Sequence, residues 1–387
     1  MRQNSHLFKK SAILSIVATT AIYATNGDTL IGVGAKTRAM GGAGIALSQG
    51  AESTLVNPAS ITQVKSTEVS VGGTMFMPKI KTTDGYGREH ESDADFSVIP
   101  LVAVASNLKN GFYIGVGMYG TAGMGVDFRG TPSLMDMETT LQLMQFAVPI
   151  AYKLNGLSIG VAPIMQYGSL DINYKNYMVN PPASVGYGQK QDFGFGVSVG
   201  AVYDFHNGLS IGAVYKSKIE MDYKKVMSTA TAPFGLNIGD KLTQPAEWGV
   251  GVAYNYGPHT LALDYKKIKW SNAAGYKGFG WKDQNVIAIG YQYKTPKWAL
   301  RAGFNHASSP IKFGSNRVLN AFNILGFPAT SKNHFTLGGS YQFNDKLSSD
   351  ITIVYSPEAK TQANTPMGVL KNKHSELSLT MQINYKF

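Results

Sequence analysis

The sequence predicts an all-β protein: a 14-stranded antiparallel transmembrane β-barrel whose N-terminal segment sits as a plug, or hatch, inside the lumen. Three observations carry this. The C-terminal twelve residues alternate strictly between apolar and polar. A tyrosine motif recurs six times beside turn residues. A glycine-rich stretch, Thr25 to Ser66, has too few large side chains to form a core of its own.

The last strand is the clearest element. From Glu376 the chain runs ELSLTMQINYKF. Leu377, Leu379, Met381, Ile383, Tyr385 and Phe387 fall on one face, and Ser378, Thr380, Gln382, Asn384 and Lys386 on the other. Period two over this length means one apolar and one wetted face. A terminal Phe on such a strand resembles the assembly signature of bacterial outer-membrane barrels.

The tyrosine motif appears as AYKLNG, VYDFHNG, AYNYGP, GYQYKTP, SYQFND and the terminal NYKF. Its tyrosines are Tyr152, Tyr203, Tyr254, Tyr291, Tyr341 and Tyr385. The intervals of 51, 51, 37, 50 and 44 residues each accommodate two strands, a tight turn and a longer loop. Tyr at a strand end next to a turn suits an interfacial aromatic girdle. The β-propensity of Tyr is the alternative reason for such placement. Six motif-bearing strands and a seventh, Ser97–Ser106, are each preceded by one running the other way, which gives fourteen. The first-direction set is Thr67–Lys81, Phe112–Tyr119, Leu157–Asn173, Leu209–Asp222, Thr260–Trp270, Trp298–Ala307 and Leu347–Tyr355. The return set adds Leu141–Leu154, Asp192–Tyr203, Trp248–Tyr254, Asn285–Tyr293, Phe335–Phe343 and Glu376–Phe387. Turns are short at one end, as at Asn155-Gly156. Loops at the other end run from about a dozen to almost thirty residues, the asymmetry of an outer-membrane barrel. Closure also removes the exposed edges of so large a sheet.

Composition agrees. Aromatic residues make up 11% of the chain, charged residues 15%, and the mean hydropathy is −0.09, as expected where apolar and polar positions alternate. Residues 1–24 read as a secretory signal: Arg2, Lys9 and Lys10, then an apolar run from Ser11, then small residues up to a cleavage point after Ala24, with Ala21 as a second option. The run is shorter than the roughly 20 residues a membrane anchor needs. Its removal lowers the net charge from +11 to +8. The chain has no cysteine, which excludes disulfides and thiolate metal sites.

The expected organisation is therefore signal 1–24, hatch 25–66 and barrel 67–387. Eight strands leave an interior that side chains fill, and sixteen to eighteen an open channel. Fourteen lies between, so the lumen needs a stopper. Glycines and alanines permit close backbone packing against the wall. Asn57-Pro58-Ala59-Ser60 reads as a helix start, with Asn as cap and Pro in the first turn. A disordered periplasmic leader is the other reading of this segment.

At this point the residues point to a family. The stretches GVGAKTRAMGGAGIAL, VNPAS, GFYIGVGMYGTAGMGVDF, QPAEWGVGVAY, LALDYKKIKWSN, ALRAGFNHASSPI and FPATSKNHFTLGGSY occur in this order over nearly the whole mature chain. The chain resembles the long-chain fatty acid transporters of bacterial outer membranes, a group that includes aromatic hydrocarbon uptake proteins. The resemblance implies a 14-stranded barrel with an N-terminal hatch, passive uptake of hydrophobic compounds, and sideways exit at a kinked third strand. It points to Asn57, Pro58, Ala59, Gly120 and Gly123 as hatch and gating residues. The third strand itself reads two ways. Phe112, Ile114, Val116 and Met118 alternate, then Gly120, Thr121, Ala122, Gly123 and Gly125 break the pattern, which marks either a bulge or the end of the strand at Tyr119.

The loop from His306 to Asn333 is the candidate for first contact with substrate. It combines Ile311, Phe313, Val318, Leu319, Phe322, Ile324, Leu325 and Phe327 with Lys312, Arg317 and Lys332, and it has no acidic residue. Apolar area with positive charge suits an amphipathic anion. Loop–loop packing and attraction to lipopolysaccharide account for it equally well. Arg301 lies on the inward face of its strand, either to hold a carboxylate or to pair with an interior acid such as Asp264. The expected substrate-binding residues are thus Arg301, Phe313, Arg317, Phe322 and Phe327.

Other chemistry is not expected. Gly41-Gly42-Ala43-Gly44 lacks the strand and the lysine–hydroxyl pair of a phosphate loop. The six histidines outside the signal have no metal-ligand spacing. His306 near Ser308 and Ser309 is weak support for a hydrolase. The basic charge is dispersed and forms no nucleic-acid footprint. No cofactor and no catalytic residue is expected, the partners are hydrophobic small molecules and outer-membrane lipid, and the protein is expected to be a monomer. The three function classes are a hydrophobic-compound transporter, a general porin for polar solutes and an outer-membrane hydrolase.

Overall fold

The computed structural model describes residues 26–387; the expected signal segment and Thr25 lie outside the described residues. Fourteen antiparallel strands form one closed wall: β1 (Glu68–Thr83), β2 (Ser97–Asn107), β3 (Phe112–Asp127), β4 (Glu138–Ala147, continued by Ile150–Leu154), β5 (Leu157–Asn176), β6 (Lys190–Asp204) and β7 (Leu209–Lys216). They continue with β8 (Glu247–Tyr256), β9 (His259–Ile268), β10 (Gln284–Lys294), β11 (Trp298–Ala307), β12 (Asn333–Gln342), β13 (Leu347–Thr365) and β14 (Gly368–Lys386). Each pairs with its sequence neighbours, and β1 closes the ring on β14 from Glu68↔Lys386 to Thr83↔Lys371. No edge remains along that seam.

Side-chain parity on β14 is as the sequence predicts. Leu377, Met381, Ile383 and Tyr385 are exposed on the outer surface, while Ser378, Thr380, Gln382 and Asn384 are buried in the lumen. Tyr203, Tyr254, Tyr291 and Tyr341 likewise face outwards beside the short turns.

Strand boundaries shift by a few residues in several places, and three matter for the wall. β13 and β14 form a hairpin that extends to Thr365 and Gly368, with a two-residue turn, where a long loop was expected. Lys360, Gln362 and Asn364 make the outer face polar there, so no apolar alternation marks it as strand. β7 ends at Lys216, six residues short of Asp222; beyond it only isolated bridges, Ile219↔Gln244 and Asp222↔Lys241, remain. β3 does not end at Tyr119 but continues to Asp127 through a bulge, where pairing with β4 shifts register between Gly120 and Ala122.

Inside the barrel, residues 26–64 form helix α1 (Ala35–Ala39) and two tight turns of 3₁₀-helix, Gly50–Leu55 and Pro58–Gln63, and are almost entirely buried. The outer mouth is filled by loops that carry α2 (Val226–Thr231) and α3 (Arg317–Ala321). Together they build one apolar cluster that includes Leu55, Met124, Leu141, Tyr223, Trp270, Trp281, Phe322 and Leu325. No helix among the described residues is long and apolar enough to cross a membrane.

Candidate functional site

The N-terminal segment is held in the lumen by two kinds of contact. The first is hydrogen bonding to inward polar side chains of β9 and β11–β14. Asp264 accepts from the Gly44 and Ile45 amides at 2.8 and 2.9 Å. Gln382 accepts from the Ala35 amide at 3.0 Å, and the Thr352 and Thr336 hydroxyls donate to the carbonyls of Ala35 and Ala39 at 2.7 and 2.8 Å. Arg38 donates to Ser378 at 2.7 Å, and Asn305 to the Gly41 carbonyl at 3.0 Å. Asp264, which the sequence offered as partner for Arg301, therefore serves the plug. Arg301 instead lies near Asp350 (3.8 Å) and donates to Gln292 and Ser340.

The second is a belt of inward-facing glycines. A methyl group on Gly160 would overlap Pro58, and one on Gly200 would overlap the Asn57 side chain. At Gly212 it would meet Ile45, at Gly290 Met40, at Gly303 Met40 and Gly41, and at Gly338 Ala39. Gly160 stands opposite Gly200 in the ladder, Gly212 opposite Gly251, and Gly290 opposite Gly303. Backbone thus approaches backbone where any side chain would hold the plug off the wall. Asn57 sits in this belt. Its Nδ2 donates to the Ile45 carbonyl at 2.8 Å and reaches the Ala201 and Ala213 carbonyls at 3.4 and 3.3 Å, while its Oδ1 accepts from the Ala59 amide at 3.0 Å as an N-cap.

Between β2 and β3 the ladder of the wall comes apart. Pairing of β2 with β3 stops at Leu101↔Tyr119, although β2 continues on β1 to Ser97 and β3 continues on β4 to Asp127. The two sides rejoin where the Asp93 amide donates to the Asp127 carbonyl at 2.9 Å. Between these points the free edge of β3 is taken up from inside. The Gly123 amide donates to the Asp28 carbonyl at 2.8 Å, the Leu30 amide donates to the Thr121 carbonyl at 3.0 Å, and Thr29 and Ala122 form an antiparallel bridge. Leu30 packs there with Ile99 and Phe76. Residues 28–30 thus replace β2 in the ladder across a window in the wall.

Loop residues clamp that short strand. Tyr276 donates its hydroxyl to the Asp28 carboxylate, and Gln244 Nε2 donates to it at 3.1 Å. Trp270, Tyr276 and Trp281 form an aromatic triangle with ring centroids 4.6–5.1 Å apart, and Trp270 fills the space above Gly27. Beside the window, a cavity of about 80 Å³ is lined by Leu30, Val33, Ile45, Leu55, Ile164 and Thr121, with Lys216 and Glu247 paired at 3.1 Å on its polar side.

The expected substrate residues fall in different places. Phe322 and Phe327 are buried under the outer mouth with Phe279, and Phe313 packs at the edge of that cluster. Asn323 fixes the turn by accepting from Trp281 Nε1 at 2.8 Å and donating to the Phe279 carbonyl at 2.9 Å. The loop is therefore a cover folded into the barrel, with its rings inside. Arg317 donates to the Thr365 carbonyl at the hairpin tip, and Arg301 lies at the opposite mouth. His306 bonds Asn333 at 2.7 Å, while Ser308 accepts from the Asn285 amide and Ser309 donates to the Ile311 carbonyl, so these groups do not form a triad.

The comparisons with known proteins agree with this architecture. The structure is similar to that of a Pseudomonas aeruginosa FadL homologue, with 15% identity, a TM-score of 0.76, and coverage of 93% of this chain and 100% of that one. It is also similar to the Pseudomonas putida toluene transporter TodX (18% identity, TM-score 0.72, 94% and 100% coverage) and the Ralstonia pickettii toluene transporter TbuX (18%, 0.70, 92% and 99%). No curated protein matches the chain. Residues 11–387 match the model of one family, the outer membrane protein transport proteins OMPP1/FadL/TodX, and the chain belongs to this family of bacterial outer-membrane barrels.

Proposed function

We propose that the protein takes up hydrophobic compounds across the outer membrane by passive diffusion, with residues 25–66 as the hatch and the window between β2 and β3 as a lateral exit. The observation that carries this reading is the seal at the window. A wall gap bounded by Leu101–Tyr119 and Asp93–Asp127 is closed only by a short strand of the plug, two backbone hydrogen bonds and the Leu30 side chain. Such a seal is weak beside a continuous ladder such as that between β1 and β14.

In this reading, cargo enters past the cover formed by Phe313, Phe322 and Phe327 and reaches the cavity beside Leu30 and Ile45. Movement of residues 28–30 then opens the window to the bilayer, so an apolar molecule never crosses the aqueous periplasmic mouth. Asn57, Pro58 and Ala59 hold the far side of the hatch against the belt while its N-terminal end moves. The apolar part of the lining suits long-chain fatty acids and aromatic or aliphatic hydrocarbons, and the cavity of about 80 Å³ widens to admit them as residues 28–30 move. The solved relatives named toluene transporters lend weight to the aromatic case.

The test is uptake of labelled oleate, hexadecane and toluene by cells lacking their own transporter of this kind, with and without this protein. Saturable uptake of at least one compound is expected, with no increase for a polar sugar. Sugar permeation without hydrophobic uptake would favour a general porin.

A further inference from the structure

We infer that the periplasmic mouth contains a binding site for a small polyanion, formed jointly by the N-terminal segment and the wall. A cavity of about 310 Å³ opens there, within the ~300–1,000 Å³ range of small-molecule sites. Six cationic side chains line it: Lys36 and Lys65 from the N-terminal segment, and Lys294, Lys297, Arg301 and Lys386 from the wall and its turn. The acidic residues of the lining are Glu68 and Asp350, and both are already engaged. Lys36 lies 3.7 Å from Glu68 and 3.9 Å from Asp350, and Arg301 lies 3.8 Å from Asp350. Lys65, Lys294, Lys297 and Lys386 have no ion pair among the described residues.

Four ammonium groups without an ion pair share one concavity with Glu68 and Asp350, and a bound anion relieves the repulsion that remains among them. The site is luminal, so a lipid headgroup does not meet it edge-on. Lys386 follows Asn384 and Gln382 on the buried face of β14, and Lys294 follows Gln292 on the buried face of β10. The positive charge comes from two separate parts of the chain, so an anion with two or more charged groups can bridge them. Polyphosphates and tricarboxylates meet this requirement, and a hydrophobic cargo does not. A bridging anion would tie the plug to the wall at the end opposite the window.

The test is calorimetric titration of the full mature protein in detergent at low ionic strength, with tripolyphosphate, citrate and acetate as probes. One site per chain is expected, with tripolyphosphate and citrate binding and acetate not. Lys294→Gln and Lys386→Gln should each weaken binding roughly tenfold, the loss of one charge-assisted hydrogen bond. Lys360→Gln, on the outer surface, should leave it unchanged. Heat-modifiable gel mobility of each variant shows that the barrel is intact. Absence of saturable polyanion binding, or equal affinity in the Lys294→Gln/Lys386→Gln double variant, would overturn the assignment.

Discussion

The Gly123 amide of the barrel wall donates to the Asp28 carbonyl of the plug at 2.8 Å, on the edge of β3 that β2 has left. This bond joins a break in the sheet to the segment that covers it. Edge strands accept new partners readily because their amides and carbonyls are already aligned. Residues 28–30 therefore close the window as a strand closes a sheet.

The window should be sensitive to added bulk. A methyl group on Gly120 would press against Ile99 Cγ2 at 2.5 Å, so Gly120→Val wedges the β2 side of the gap. Uptake of a hydrophobic substrate should fall at least several-fold, with outer-membrane abundance near wild type. Uptake normalised to barrel protein checks this, and wild-type rates would count against the window as the exit.

Asn57→Ala removes a cap and a set of contacts to three carbonyls. Losing a cap costs roughly 0.5–2 kcal/mol, which is small beside the barrel ladders but of the size that shifts a two-state element. Uptake should drop while heat-modifiable mobility is retained, and Pro58→Ala should act in the same direction. Unfolding of the barrel in either variant would assign these residues to assembly instead.

The glycine belt predicts displacement of the plug. Gly200→Val puts a branched side chain where Asn57 sits, and Gly160→Val does so at Pro58. Fourteen strands enclose more space than their own side chains fill. Either variant should therefore form a barrel that conducts small ions in planar bilayers, as should deletion of residues 25–66. Unchanged conductance in all three would mean the segment does not plug the channel.

Much of the barrel was legible because a membrane wall imposes period two. β14 from Glu376 onwards and the six tyrosines beside turns follow from that rule alone. The outer half of the β13–β14 hairpin was missed because Lys360 to Asn364 present a polar outer face, as a loop would. The bulge at Gly120 was one of two readings; pattern loss alone does not distinguish a bent strand from its end. The belt was visible without being read. SVGAVY, SIGAVY and GVGVAY place a glycine shortly before the tyrosine or its neighbour in successive strands, but its purpose appears only when the plug is seen against it. Asp28, Gln244, Trp270 and Tyr276 carry no signal in the sequence, since Asp28 lies more than two hundred residues from the loops that clamp it. Arg301 was placed correctly on the inner face, but parity does not say at which mouth it lies.

We propose that cargo leaves where residues 28–30 meet β3. Thr29 and Ala122 are direct partners in an antiparallel bridge, a geometry that cysteine pairs can span, and the chain has no other cysteine to interfere. The measurement is uptake by cells carrying Thr29→Cys/Ala122→Cys, oxidised and then reduced. Uptake near zero is expected when the bridge is closed and recovery on reduction, with each single variant close to wild type. Uptake at the wild-type rate with the disulfide fully formed would show that the cargo takes another route.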